Sequence, residues 1–406
     1  MTFSLFIIEV VLLLLLIRNK KKTSHPFVIV FSIAFFYLNA PLLDHFFLNI
    51  KQLRYIDRYI DFKSNSFLYY CYYKLLFFVA FFFFLIKKNK RIVYYFKKNE
   101  YTFKIKKEFL LSLLLLVLSL YNLNNLIVNT ISTRSELALT QTPFSLILRN
   151  FTNYLFIILF CLKVKKSMVY NLFIWTSILY FFFAFEREPL VILFFCIIYT
   201  KKVFSGSKIL VLTSLALLPV LFLWKVIYSS LLYKKGGGVQ VVQDFYKEQV
   251  FSFSGLDPGS SFKIFYEYLE GTISYSNYSF TYFTGVLNQV YRMFFVSDYK
   301  TLAEYSSIEL VGSRYGVAFS FLLESILNFS VLGPVIISYL ILIFINHGMK
   351  LQSKYGAGII VCCIYIVLKL MRTEIATIVK LEIFPLVLVL LFFTFFIKKL
   401  KTNNEP

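Results

Sequence analysis

Long apolar runs recur along the whole chain of 406 residues, and no other feature constrains its fold as strongly. A helix needs about 20 residues to cross the hydrocarbon core of a bilayer. The sequence therefore predicts an all-α polytopic membrane protein, with about eleven transmembrane helices (range 10–12) in a single integral membrane domain over residues 1–406. The predicted helices are 3–17, 26–43, 67–86, 108–128, 145–162, 168–185, 189–200, 208–228, 331–346, 356–370 and 375–397.

Composition supports this class, because 59% of the residues are hydrophobic and only 16% are charged. Soluble domains carry about 25% charged residues. The composition thus excludes a soluble enzyme, a disordered chain and a secreted disulfide scaffold. The five cysteines fall inside predicted helices, where they act as small apolar residues.

The net charge of +22 reflects topology, since more than half of the basic residues lie in alternate loops with few acidic residues beside them. Cytoplasmic loops of membrane proteins carry such an excess of Lys and Arg. We therefore expect the N-terminus outside and the C-terminus in the cytoplasm, and no nucleic-acid partner is needed to explain the charge. The basic loops are 18–22, 87–107, 163–166, 201–208, 347–354 and 398–401.

One predicted external loop is much longer than the others and spans residues 229–330. A long, partly apolar loop is more often functional than a passive connector. Within it, Phe262–Leu269 and Val317–Phe329 could form amphipathic helices that lie on the membrane or re-enter it. The loop has no glycine-rich phosphate motif and no zinc motif, so no metal or cofactor is expected.

Several charged residues stand at or near predicted membrane depth, where charge is costly and indicates function. Arg187 lies in the hairpin Glu186-Arg187-Glu188-Pro189, Arg372 in Arg372-Thr373-Glu374, and Arg314 in Gly312-Ser313-Arg314-Tyr315-Gly316. Because arginine binds phosphate in a bidentate manner, these three predict a diphosphate site. The acidic residue Glu324 is embedded in the apolar stretch after Arg314.

Other polar residues near helix ends receive a weaker interpretation. Arg149, Lys225, Lys369 and Lys380 are expected to extend their charges to the membrane interface. The polar residues at 150–153 could line the same cleft as the arginines. His45 lies at the predicted outer mouth of the second helix, where a catalytic role is a minor alternative.

The run that contains Arg314, followed by Glu324 and by Asn328-Phe329-Ser330-Val331-Leu332-Gly333, resembles the late-loop signature of Wzy-type polymerases of oligosaccharide repeat units. The Arg187 hairpin is similar to an arginine-containing turn of that family. Arg372 matches an arginine often found between its last two helices. Ser330 departs from the pattern, because the family usually has glycine there, and the paired arginine motifs of some members are missing.

The resemblance implies a GT-C-like polymerase and ligase architecture at the outer face of the cytoplasmic membrane. It implies a metal-independent, inverting glycosyltransferase that joins undecaprenyl-diphosphate-linked repeat units into O-antigen or capsular polysaccharide. The implied partners are that lipid-linked oligosaccharide, the bilayer, a flippase and a chain-length regulator. The implied catalytic residues are Arg187, Arg314, Arg372 and Glu324, and the implied substrate-binding residues are Arg134, Arg292 and Asn328.

Four alternatives remain at the level of sequence. An O-antigen ligase usually carries a histidine in the large loop, whereas this chain has none between residues 46 and 346. A flippase for lipid-linked oligosaccharides would have short loops and inverted repeats. A GT-C monosaccharide transferase would use an acidic residue of the first external loop, such as Asp44, Asp57 or Asp61. A non-catalytic membrane scaffold is the fourth.

Overall fold

The computed structural model describes residues 1–18, 25–48, 52–55, 58–87, 100–103, 108–131, 142–164, 168–183, 196, 258–276, 278, 280–292, 295, 299–311 and 319–399. Helices dominate this part of the chain. The first six are α1 (Thr2–Arg18), α2 (His25–Phe47), α3 (Asn65–Lys87), α4 (Glu108–Ile131), α5 (Pro143–Cys161) and α6 (Met168–Phe183). The next five are α7 (Pro258–Leu269), α8 (Thr281–Tyr291), α9 (Leu302–Val311), α10 (Phe321–Phe329) and α11 (Gly333–Tyr355). The last are α12 (Gly358–Leu370), α13 (Ile375–Ile378), a π-helix (Val379–Ile383) and α14 (Phe384–Phe396).

Among the described residues, six helical segments are long and apolar enough to cross a membrane. The prediction of an α-helical membrane protein is therefore confirmed. Two shorter apolar helices, α6 and α12, accompany these segments. The six segments are Pro26–Phe47, Asn65–Ile86, Glu108–Asn125, Phe144–Cys161, Phe321–Gln352 and Ile375–Phe396. The predicted helices 189–200 and 208–228 lie outside the described residues, apart from Cys196.

The bundle is organised around α12, in which nearly every residue is buried. This helix packs against α2, α5 and α11, while α11 also packs along α3, and α14 along α5. Small residues allow the close approach: a Cβ atom added at Gly358 would lie 2.7 Å from the Cα atom of Ile158 on α5. Close backbone contact through small residues is how helices gain dispersion energy inside a membrane.

Two small sheets accompany the helices. Strands β1 (Gln52–Tyr55) and β2 (Arg58–Asp61) form an antiparallel hairpin between α2 and α3. Strand β3 (Glu100–Phe103) pairs with both β4 (Lys163–Val164) and β5 (Ile397–Lys399). The second sheet brings together three segments that the basic residues assigned to one membrane face, so these three lie at the same end of the bundle.

The two amphipathic stretches predicted to lie on the membrane or to re-enter it, Phe262–Leu269 and Val317–Phe329, overlap α7 and α10. In α7, Phe262, Ile264 and Phe265 are buried against α2 and α3. Helix α10 is followed by a turn of 3₁₀-helix (Ser330–Leu332) and by α11, and the three together form the apolar stretch Phe321–Gln352. In the sequence this turn cannot be distinguished from the helices on either side, because Val331 and Leu332 are apolar as well.

A charged triad joins the first three helices deep in the bundle. Lys74 of α3 lies 3.3 Å from the Glu9 carboxylate of α1, and both side chains are fully buried. Asn39 of α2 donates to the same Glu9 oxygen at 2.8 Å and accepts from the Lys74 ammonium at 2.5 Å. Polar side chains inside a membrane protein face the bundle and pair in this way.

Candidate functional site

The predicted site residues that the structure describes gather at one end of the bundle, where α8, α9, α10, α12 and α13 meet. These are Arg292, Glu324, Asn328 and Arg372. The other three, Arg134, Arg187 and Arg314, lie outside the described residues.

Helix α10 holds the starts of two neighbouring helices through Glu324 and Asn328. The fully buried carboxylate of Glu324 accepts the backbone N–H of Ile375 at 2.8 Å and the hydroxyl of Thr281 at 3.5 Å. The amide of Asn328 donates to the Thr281 hydroxyl at 2.7 Å and accepts the Tyr282 N–H at 3.0 Å. These contacts satisfy N–H groups that a helix start leaves without an intrahelical partner.

Glu374, just before α13, performs the same task for α9. Its carboxylate accepts the Leu302 N–H at 2.7 Å and the Thr377 hydroxyl at 2.9 Å. Burial raises the pKa of Glu374 to about 7, although both hydrogen bonds oppose the shift. The charge of Glu374 also acts on Glu324, so two carboxyl groups share this buried region.

Helix α9 carries an ion pair at its start. Glu304 and Thr301 form a reciprocal cap, in which each backbone N–H donates to the other side chain at 3.0–3.1 Å. The Arg292 guanidinium lies 3.2 Å from the Glu304 carboxylate, and both side chains are partly exposed. Arginine has five N–H donors, so this pairing leaves donors for a phosphate group. Nearby, the Lys380 ammonium donates to Gln289 at 3.1 Å.

The π-helix carries a third buried carboxylate, Glu382. The Tyr154 hydroxyl of α5 donates to it at 2.5 Å, and the Asn150 amide lies at 3.4 Å from its other oxygen. Asn150 also donates to the Leu381 carbonyl at 2.6 Å. A π-helical turn inside a membrane helix frees backbone groups and is frequent at functional sites.

Three basic residues lie near Glu382, one in α5 and two around the end of α12. The charges of Lys369 at the end of α12, of Arg149 in α5 and of Arg372 before α13 all act on its carboxylate. All three basic side chains are half-buried, whereas Glu382 is buried. We call this group of four residues the Glu382 cluster. These four residues carry three positive charges and one negative charge, and such an excess suits an anion with more than one charge.

Of these four residues, only Arg372 is among the site residues predicted from the sequence. Arg149 and Lys369 were expected to be interfacial charges, and Glu382 was not selected. The signal for Glu382 was present, because it is an acidic residue inside the apolar run 375–397 and charge at membrane depth indicates function. The same reasoning had selected Glu324.

His45 lies near the end of α2, where its ring stacks on Phe62 with centroids 4.7 Å apart. The described residues contain no group of three or more His, Cys, Asp or Glu side chains that could hold a metal ion.

Comparisons with protein families, curated proteins and solved structures found no match for this chain.

Proposed function

We propose that this membrane protein polymerises oligosaccharide repeat units carried on undecaprenyl diphosphate. The observation that carries the proposal is the Glu382 cluster, in which the charges of Arg149, Lys369 and Arg372 all act on one buried carboxylate. A glycosyl transfer from a lipid diphosphate builds negative charge on the leaving group. Fixed cations in a region of low dielectric stabilise that charge better than water does.

In this proposal the protein lies in the cytoplasmic membrane with about eleven crossings and a GT-C-like architecture. The N-terminus and the end of the bundle with the Glu382 cluster face outward, and the C-terminus faces the cytoplasm. A flippase supplies the lipid-linked repeat units, and a chain-length regulator acts beside the polymerase. The product is O-antigen or capsular polysaccharide.

We assign the diphosphate to Arg372, Arg149 and Lys369, together with Arg187 and Arg314. The guanidinium groups bind the phosphate oxygens and hold the anomeric carbon in line for attack. Glu382 positions the cations by attracting them to one point. No metal ion takes part in this proposal.

Glu324 is the proposed base for the acceptor hydroxyl. Its longest contact is the 3.5 Å hydrogen bond from Thr281, whereas the bond from the Ile375 N–H is short at 2.8 Å. A sugar hydroxyl would replace the Thr281 hydroxyl at the first oxygen, while the second oxygen keeps α13 in place. Asn328 and Arg292 then bind the acceptor sugar, and Arg134 the donor.

The test is a deletion strain complemented with variants, scored by the length distribution of its surface glycan on a gel. We expect the deletion to leave single-repeat glycan and the wild type to restore the ladder. The variants Arg372→Gln, Arg149→Gln and Lys369→Gln should each lower polymerisation about a hundredfold, as loss of one charge-stabilising donor does. Lys350→Gln and Lys354→Gln, which alter exposed cations of α11, are matched controls that should restore the ladder.

Two results would reject the proposal. One is a full ladder from all three cluster variants, present at wild-type levels in the membrane. The other is a deletion strain without any surface glycan, in which repeat units accumulate on the cytoplasmic face. The second result would favour a flippase.

One observation favours the flippase as a second candidate. The ion pair between Glu9 and Lys74 is fully buried among three membrane helices, and transporters place ionisable residues at such depth. A flippase would need this pair for transport, whereas a polymerase needs it only for stability. Substitution of the pair therefore separates the two candidates.

A further inference from the structure

Helix α8 is amphipathic, but its apolar side faces away from the protein. Its buried residues are Thr281, Gly285 and Gln289, which are small or polar. Phe283 is 69% exposed and Leu287 is 55% exposed. On the surface of a soluble protein, a helix turns its apolar stripe toward the core, so α8 has the opposite arrangement.

The inward face of α8 is packed closely. A Cβ atom added at Gly285 would lie 3.1 Å from the Tyr299 hydroxyl and 3.2 Å from the Ala376 Cβ atom. The Gln289 side chain accepts a hydrogen bond from Lys380 at 3.1 Å. Rotating α8 to bury its aromatic stripe would break these contacts, so the outward direction of Phe283 and Leu287 is built into the fold.

Helix α8 contacts two of the segments that are apolar enough to cross a membrane. Its first turn bonds to Asn328 of α10, within the apolar stretch Phe321–Gln352. Near its last turn, Gln289 bonds to Lys380, within the segment Ile375–Phe396. Both ends of α8 therefore lie beside apolar membrane segments.

The backbone at the start of α8 is satisfied by protein groups. The Tyr282 N–H donates to the Asn328 side chain at 3.0 Å, and the N–H groups of Phe283 and Thr284 donate to the Phe280 carbonyl at 3.0 Å. Backbone polar groups at membrane depth require such internal partners because the hydrocarbon offers none. The apolar surface also continues beyond α8, since the Tyr282 ring packs on Phe329, which is partly exposed.

We propose that α8 is embedded in one leaflet of the bilayer and that its face of Phe280, Phe283, Leu287, Val290 and Tyr291 contacts lipid hydrocarbon. The occupant of this face is the acyl chains of the surrounding phospholipids. The inference does not depend on glycan polymerisation. It places Arg292, at the end of α8, near the lipid headgroups, where a cation is favoured.

Photocrosslinking tests the proposal directly. The photoreactive residue p-benzoylphenylalanine replaces Phe283 or Leu287 in the full chain, reconstituted in phosphatidylethanolamine and phosphatidylglycerol vesicles with radiolabelled acyl chains. Leu391 of α14, which is 61% exposed within a membrane segment, is the lipid-contact control. Glu309 of α9, which is exposed outside those segments, is the water-contact control.

We expect radiolabelled adducts at Phe283 and Leu287 at the level found for Leu391, and none above background at Glu309. The proposal is overturned if both α8 positions give no lipid adduct while Leu391 does. It is also overturned if they crosslink to a second polypeptide chain instead of lipid, which would make the face a protein interface. Because the assay contains no glycan, it stands whether or not the chain is a polymerase.

Discussion

Replacing Lys74 with methionine is expected to destabilise the protein strongly. The Lys74 ammonium and the Glu9 carboxylate are 3.3 Å apart, and both are fully buried. Methionine fills a similar volume but removes the cation beside Glu9, and only the Asn39 amide then remains as a donor in this triad. Breaking a buried ion pair by removing one partner costs about 3 to 5 kcal/mol, because the remaining charge stays away from water. One oxygen of Glu9 already lacks a hydrogen bond in the structure, so no spare donor can compensate.

The measurement is the SDS mole fraction at which the purified protein unfolds in mixed micelles. Lys74→Met should unfold at a clearly lower fraction than the wild type. The double variant Glu9→Gln with Lys74→Met should recover most of the loss, since the two amides at positions 9 and 39 can bond to each other. Tyr69→Phe, on the exposed side of α3, is the control and should change little.

Two outcomes would refute this reasoning. Lys74→Met could unfold at the wild-type SDS fraction, or the double variant could be as unstable as the single one. Either result would mean that an uncompensated buried charge is not the source of instability. If the stable double variant also restores a normal glycan ladder, the pair has a structural role and the flippase candidate loses its support.

Three further predictions concern stability. Ser330 has a φ of 52°, a backbone conformation that costs any residue except glycine about 1 to 3 kcal/mol. Ser330→Gly should therefore raise the SDS midpoint. Gly358→Ala would place a Cβ atom 2.7 Å from the Ile158 Cα atom, and such overpacking costs about 1 to 3 kcal/mol, so the midpoint should fall. The pKa of Glu374 is raised from 4.5 to about 7, so the folded protein binds the proton more tightly and this group makes stability fall as pH rises from 4.5 to 7. Glu374→Gln should remove that part of the pH dependence of thermal unfolding, and an unchanged profile would contradict the assignment.

The sequence predicts the helices well where an apolar run has polar ends. Helix α3 covers Asn65–Lys87 against a predicted 67–86, because Lys87 and the polar residues before Ser66 mark the change of environment. The turn at Ser330–Leu332 is not evident from the sequence, because Val331 and Leu332 interrupt the helix without changing its polarity. Hydrophobic patterning records burial and lipid contact, and it does not record a turn made of apolar residues.

The site could be predicted only in part. Arg372 was identified because it separates two apolar runs, and Glu324 because it interrupts one. The residues near Arg372 could not be predicted, because Arg149 and Glu382 are far apart in the chain. They come together only through the packing of α5 on the π-helix. A single sequence indicates which residues occupy helix ends, but not which helices are neighbours. The glycine expected at position 330 has a physical basis, because that position adopts a positive φ.

The most direct test of the proposed diphosphate site is the binding of radiolabelled undecaprenyl diphosphate to the purified protein in lipid nanodiscs. The wild type and Lys354→Gln should bind equally. Arg372→Gln, Arg149→Gln and Lys369→Gln should each bind about tenfold to a hundredfold more weakly, as expected for the loss of one hydrogen bond to a charged group. Equal affinity of all five proteins, or equal binding of undecaprenol without phosphates, would contradict a diphosphate site at the Glu382 cluster.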